Sequence, residues 1–348
     1  MVDLGARRCC RSRGGRQQDA GGRCIRVLSL AAVAATYCLA VLGSTVRVTD
    51  SGMGCAGWPL CTGQIGPIAH FHPLIEQSHR YLAALVTFLV LMLAALAWRA
   101  GPAARYVRGP ATVSVGAIAV QVVLGAITVL TNNAPVTVAL HLAAGLLLLG
   151  IVTVTAVASF AGPEASWSLP RHPGHLAWAA VIGLFSVLAS GSLVVDGGAQ
   201  SACRSWPACV GARASDGLVA LQLVHRSIVL VGGTLVVVYL VMLLRRGRVP
   251  PARHILAMTG LALLATQVTV GAFDALLGAP AALADVHLAL ASALWAVVIA
   301  VAALPASGAR ERIAPADPRT VDGVPATMRV RPGPLQMPET PDTASASN

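Results

Sequence analysis

Four histidines lie inside long apolar stretches of the chain: His79, His141, His225 and His287. They form two pairs with one spacing, 79 to 141 and 225 to 287, which is 62 residues in each case. An ionisable group in an apolar helix is costly and usually faces a bundle interior with a partner. Two imidazoles facing each other across a four-helix bundle suit axial ligation of a haem iron. Bundle cores house such cofactors, and axial ligands set their chemistry. A lone histidine would more simply hydrogen-bond to a neighbouring helix; a duplicated pair points to haem. Zinc fits less well, because no third ligand accompanies either pair. His70, His72, His172, His175 and His254 fall in loops or at helix ends and read as solvated or interfacial.

Other residues near the histidines could take part. Arg80 and Arg226 each follow a histidine directly. They could pair with anionic haem propionates, or snorkel to lipid headgroups. Glu76 stands three residues before His79, on the same helical face, and its counterpart before His225 is the neutral Gln222. A carboxylate beside a haem can move protons or stabilise developing positive charge, and an amide cannot act as a base. That difference suggests a division of labour, with chemistry in the Glu76 half and a redox cofactor in the Gln222 half. The simpler alternative is a negative charge placed near a helix N-terminus. Cys55 and Cys61, and likewise Cys203 and Cys209, have C-x5-C spacing around Trp-Pro and can close small disulfide rings. Such rings could staple loops over the bundle mouth, or exchange electrons as redox-active pairs. Cys9, Cys10 and Cys24 precede the first apolar run, and Cys38 within it reads as a buried small apolar residue.

The elements that must position these groups are membrane spans. The chain has 348 residues, of which 56% are hydrophobic and 11% charged, against about 25% charged in a soluble domain. Mean hydropathy is +0.72. A spanning helix needs about 20 mostly apolar residues. Eight stretches qualify: Val27–Val46, Ile75–Trp98, Ala111–Thr131, Val136–Phe160, His175–Val195, Gly217–Leu244, Ile255–Leu277 and Ala281–Leu304. The first follows an Arg-rich segment, so a signal peptide competes. Its length, and the lack of a clear small-residue cleavage site after it, favour a retained helix. The net charge is +11 and all 25 basic residues are arginine. The arginines sit in short tracts between apolar runs, with no soluble domain to present them, which sets nucleic-acid binding aside.

Arginine placement orients the spans. Seven arginines from Arg7 to Arg26 precede the first run. Arg99, Arg105 and Arg108 follow the second, Arg171 the fourth, and Arg245, Arg246, Arg248 and Arg253 the sixth. Five more, from Arg310 to Arg331, follow the eighth. The alternate loops carry only Arg47, Arg204 and Arg213. Both termini are therefore expected in the cytoplasm of a multi-pass cell-membrane protein, with the cysteine loops facing outward. The last segment is rich in Pro, Ala, Thr and Ser and reads as disordered.

The chain also repeats internally. His79-Arg80 recurs as His225-Arg226, His141 as His287, and Gln121 and Gly125 as Gln267 and Gly271, all at an offset of 146. Gly43-Ser44 recurs as Gly191-Ser192, and the Cys55 loop as the Cys203 loop, at an offset of 148. An even number of helices per unit puts both units in the membrane the same way up. The expected fold is an all-α integral membrane protein, with eight transmembrane helices arranged as two parallel four-helix-bundle repeats. The organisation is a basic tail (1–26), an N-terminal unit (27–160), a linker (161–174), a C-terminal unit (175–304) and a tail (305–348).

Taken together, Glu76-x-x-His79-Arg80, His141, His225-Arg226, His287 and the loop cysteines resemble the haem A synthase family. The resemblance covers about Val27 to Leu304. It implies a haem b cofactor held by His225 and His287 in the C-terminal unit. It implies a haem O substrate bound near His79 and His141, with Glu76 catalytic and both cysteine pairs as extracytoplasmic disulfides. The implied reaction oxidises the C8 methyl of haem O to a formyl group. Haem O synthase and the cytochrome oxidase assembly machinery are the implied partners, alongside membrane lipid. Competing readings are a di-haem b-type cytochrome serving quinone, a thiol–quinone oxidoreductase and a transporter.

Overall fold

The structure is a computed structural model that describes residues 6–304, apart from 56, 58, 59, 62, 64–67, 162–173, 213 and 247–248. Among the described residues it contains eight α-helices and no strand. They are α1 (Ala6–Val48), α2 (Phe71–Arg99), α3 (Arg105–Leu130), α4 (Pro135–Ala161), α5 (His175–Asp196), α6 (Asp216–Leu244), α7 (Pro251–Leu277) and α8 (Ala281–Ala303). Each is long and apolar enough to cross a membrane, α1 from Gly21 onward. The chain is an all-helical, eight-span membrane protein. The expectations for the tail after 304, for most of the linker and for His172 lie outside the described residues.

Besides α1, which starts at Ala6 rather than Val27, three helices begin earlier than the hydropathy suggests: α2 at Phe71 rather than Ile75, α3 at Arg105 rather than Ala111, and α7 at Pro251 rather than Ile255. A proline misleads in each of these three. Pro73 and Pro251 sit in a first helical turn, where a missing N–H costs nothing. Pro110 lies inside α3 and is buried there, so that helix gives up one backbone bond without breaking. Cys38 also departs from expectation. It is exposed on α1, because a thiol is as much at home against lipid as in a core.

The helices close into two rings. α1 packs on α2, α2 on α3, α3 on α4 and α4 back on α1; α5 to α8 repeat the same circuit. Between the rings, α4 meets α5, α1 meets α8, and α4 meets α8. Exchanging each helix for the one four places later leaves this pattern of contacts unchanged. The seam is filled by buried side chains including Leu146, Leu149, Leu294, Trp295 and Val298. Trp295 on α8 donates from Nε1 to the Leu146 carbonyl on α4 at 2.7 Å. The Phe185 ring of α5 lies 5.7 Å from that indole. A Cβ on Gly150 of α4 would stand 3.3 Å from the indole, so a larger residue there would push it away.

Inside a membrane, helices are not driven together by water, and small residues let their backbones approach. α5 and α6 cross at Gly183 and Gly232, where a Cβ on Gly232 would come within 2.8 Å of the Gly183 carbonyl. Nothing lies within 4 Å of a Cβ on Gly233. Gly232→Leu is therefore expected to cost about 1–3 kcal/mol through overpacking. Gly233→Ala should be neutral or slightly stabilising, since alanine is the better helix former. Thermal unfolding midpoints in one detergent decide this; equal midpoints for the two variants would contradict the crossing.

Candidate functional site

In the first ring, His79 comes from α2 and His141 from α4, with ring centres 6.5 Å apart. The other two helices make room for them. A Cβ on Gly43 of α1 would stand 3.1 Å from His79 Nε2, and one on Gly125 of α3 would stand 3.1 Å from His141 Cε1. Glycine at these positions lets each ring pack closely against a helix backbone. Gln121, one turn before Gly125, donates from Nε2 to the His141 carbonyl at 3.0 Å and lies 3.4 Å from His141 Nε2.

The second ring repeats this arrangement with changes. Gly271 of α7 faces His287, and Gly191 of α5 faces His225. Gln267 Nε2 lies 3.2 Å from His287 Nε2. Ser190 Oγ lies 2.9 Å from His225 Nδ1, a bond without an equivalent at His79, since the matching residue is Leu42. His141 Nδ1 and His287 Nδ1 are buried with no hydrogen-bond partner among the described residues, and so are Gln121 Oε1 and Gln267 Oε1. Unpaired buried polar atoms are rare in native structures and call for an explanation.

The helix starts and the loops close over the rings. Cys55–Cys61 and Cys203–Cys209 are both disulfide-bonded. In the first half α2 holds the disulfide by both ends. The Cys55 N–H donates to Glu76 Oε2 at 2.8 Å, and the Cys61 N–H to Gln77 Oε1 at 3.1 Å. Arg80 donates to Glu76 Oε1 and to the Gly57 carbonyl. Glu76 is thus buried, with both carboxylate oxygens engaged. In the second half Gln222 donates instead to the Ala199 and Gln200 carbonyls. Arg226 donates to the carbonyls of Cys203, Ser205 and Pro207. Both arginines therefore fasten a loop to the histidine helix, a role the sequence did not suggest.

Sequence reasoning flagged Gly43, Gly125, Gly191, Gly271, Gln121 and Gln267 only as marks of a repeat. The structure brings all six against the histidines. Their recurrence at fixed offset was the available signal. Gln77 gave none, because its counterpart Leu223 is unrelated to it. His72 is exposed, as expected, yet its Nδ1 also meets the buried Ser51 Oγ at 3.0 Å.

The geometry suits a metal between two imidazoles. With a metal–nitrogen distance of about 2 Å and about 1 Å from nitrogen to ring centre, axial rings stand roughly 6 Å apart, close to the observed separation. His141 Nδ1 and His287 Nδ1, without a partner among the described residues, fit a coordinating centre. A second conclusion concerns the loop clamp. Gln77→Ala should speed reduction of Cys55–Cys61 by dithiothreitol about fivefold, from the loss of about 1 kcal/mol of hydrogen bonding. Leu223→Ala should leave Cys203–Cys209 unchanged. Timed thiol labelling with mass detection measures both, and equal reduction rates in parent and Gln77→Ala would count against the clamp.

Comparison with known proteins adds a second line of information. The sequence model of the COX15-CtaA family, described as cytochrome oxidase assembly protein, matches residues 26–299. A protein of Symbiobacterium thermophilum named heme A synthase is 30% identical over 308 residues, covering 84% of this chain and 99% of that protein. A heme A synthase of Geobacillus kaustophilus is 33% identical over 178 residues, covering 49% of this chain and 56% of that protein. A Halobacterium salinarum protein named protoheme IX farnesyltransferase is 35% identical over 140 residues, which is 40% of this chain and 29% of that protein.

Proposed function

From the premise that this chain belongs to the COX15-CtaA family, within the haem A synthases, we propose that it converts haem O to haem A in the cell membrane. The observation that carries this reading is a pair of similar histidine sites, of which one has a carboxylate where the other has an amide. Glu76 stands one helical turn from His79, where Gln222 stands one turn from His225. In this reading His79 and His141 hold the substrate, haem O, and its C8 methyl becomes a formyl group. In the first step the methyl carbon gives up two electrons and a proton and takes a hydroxyl from water, which releases a second proton; a second such oxidation gives a geminal diol, which loses water to leave the formyl group.

His225 and His287 hold the resident cofactor, haem b, with Ser190 and Gln267 orienting the two imidazoles. Bound there, a haem supplies one-electron redox chemistry. Gly191 and Gly271 leave room for the two rings against their helices. Glu76 accepts a proton released as the methyl group is oxidised, or stabilises positive charge on the carbon. Its two donors, the Cys55 amide and Arg80, hold the carboxylate in place. The disulfide loops exclude water from the ring faces. Electrons leave to an acceptor in or beside the membrane.

Arginine distribution supports cytoplasmic termini, which puts both histidine sites near the outer surface. The names of the relatives support a place after the enzyme that makes haem O and before the assembly of cytochrome oxidase. The close match between the two sites favours one competing reading, a di-haem electron carrier without chemistry on a haem substituent.

Two experiments separate these readings. A His225→Ala, His287→Ala double variant should lose the tightly held low-spin haem b absorbance, and a His79→Ala, His141→Ala double variant should keep it. The reverse pattern would exchange the roles of the halves. Glu76→Gln should fold, retain haem b and lower the haem A to haem O ratio about a hundredfold, in keeping with the usual worth of a general base. Pigment extraction with mass detection, in cells that supply haem O and depend on this protein, reads that ratio. Near-parental haem A would leave Glu76 as a loop clamp only and put the electron carrier first.

A further inference from the structure

One polar cluster joins the two rings. Arg47 on α1 forms an ion pair with Asp196 on α5. Arg47 Nη2 also donates to the Ser192 carbonyl at 2.9 Å, and Ser192 Oγ donates to the second carboxylate oxygen of Asp196 at 2.8 Å. Beside it, Thr45 Oγ1 donates to Asp285 Oδ2 on α8 at 2.7 Å. All of these residues lie within spans. The Asp196 side chain is 4% exposed and that of Arg47 20%.

The register of these ties is informative. Thr45 and Arg47 follow Gly43, the residue against His79, within one helical turn. Ser192 adjoins Gly191 and Ser190, which meet His225. Asp285 stands two residues before His287. Positions two apart on a helix point to opposite sides, so α8 turns His287 into its own ring and Asp285 toward α1. Each tie thus runs from a helix that touches a histidine in one half to a helix that carries or touches one in the other.

These ties are not inherited from the repeat. The positions equivalent to Arg47, Asp196 and Asp285 are Val195, Val48 and Ala139. These three ionisable groups stand where the two halves meet. An ion pair removed from water gives little net stability, and its best-attested use is to specify one register. Between helices in lipid, such polar contacts carry association together with close packing.

We infer that Arg47–Asp196 and Thr45–Asp285 register the two histidine sites against each other, and that Arg47 and Asp196 are positioning residues for electron transfer between the halves. The electron-transfer clause rests on the proposed function; the registration does not. The test uses full-length protein with Arg47→Gln, with Asp196→Asn, and with the exchange Arg47→Asp, Asp196→Arg. Thr45→Val removes the second tie without touching a charge and serves if the charge variants do not fold.

The first readout is the distance between spin labels at Leu130→Cys and Leu276→Cys, both exposed on the parent protein, with Cys9, Cys10, Cys24 and Cys38 replaced by serine. Each single variant should broaden the parental distribution and the exchange should narrow it again. The second readout is haem O turnover. In the single variants kcat should fall about tenfold to a hundredfold, the range expected when reacting groups are misplaced by about 1 Å. KM and haem b absorbance should stay parental, and the exchange should recover most of the rate. Single variants that match the parent in both readouts would overturn the inference, as would an exchange no better than the singles. Loss of haem b absorbance in the singles would also overturn it, by assigning the pair to the folding of one half. A parent that does not convert haem O would sink the proposed function, while the distance measurement would still decide the registration.

Discussion

An imidazole inside a helical bundle presents two nitrogens to surroundings that hold no water. Much of the structure near the four histidines follows from that. Facing helices carry glycine where the rings lie, because any side chain there would occupy their space. A glutamine on the third helix of each half reaches one histidine, yet in both halves a ring nitrogen and an amide oxygen have no partner among the described residues. The histidines lie about two turns inside their helices, and the loops before α2 and α6 are tied to those helices. Arg80 and Arg226, leaving the helix one residue after each histidine, do this through backbone carbonyls.

The two loops are tied differently, and the difference lies in backbone chemistry. Glu76 and Gln77 accept hydrogen bonds from the amides of both disulfide-bonded cysteines, so they hold the ring by its N–H groups. Gln222 donates to carbonyls just before its ring. One side chain therefore serves two functions in the first half: it anchors the loop, and it is the carboxylate nearest the histidine. A substitution at Glu76 tests both at once, which is why spectra of the bound pigment and thiol reactivity must be read together with turnover.

Much of the fold could be read from the sequence, because lipid leaves few options. An apolar run of span length becomes a helix, and a repeated histidine at one offset marks a repeated site. Helix starts were less legible where proline intervened, since proline ends some helices and opens others. Side-chain partners were least legible. Arg80 was expected to meet a haem propionate or a headgroup; its bonds to Glu76 and to the Gly57 carbonyl depend on loop geometry that spacing does not encode. Arg47 counted only as a charge outside a span, although α1 extends past it and its partner lies 149 residues away. No local pattern links such residues. The glycines were visible only as recurrences, because glycine's role depends on what lies opposite.

The indole of Trp295 has a further implication for how a duplicated chain ages. At the 146-residue offset its counterpart is Leu149, and the counterpart of Gly150 is Ala296. One half has grown a projection and the other has kept the hollow that receives it. Two copies of the first half would leave that hollow unfilled, and two copies of the second would set an indole against an alanine methyl in the place of glycine. The halves have become complementary parts rather than interchangeable ones.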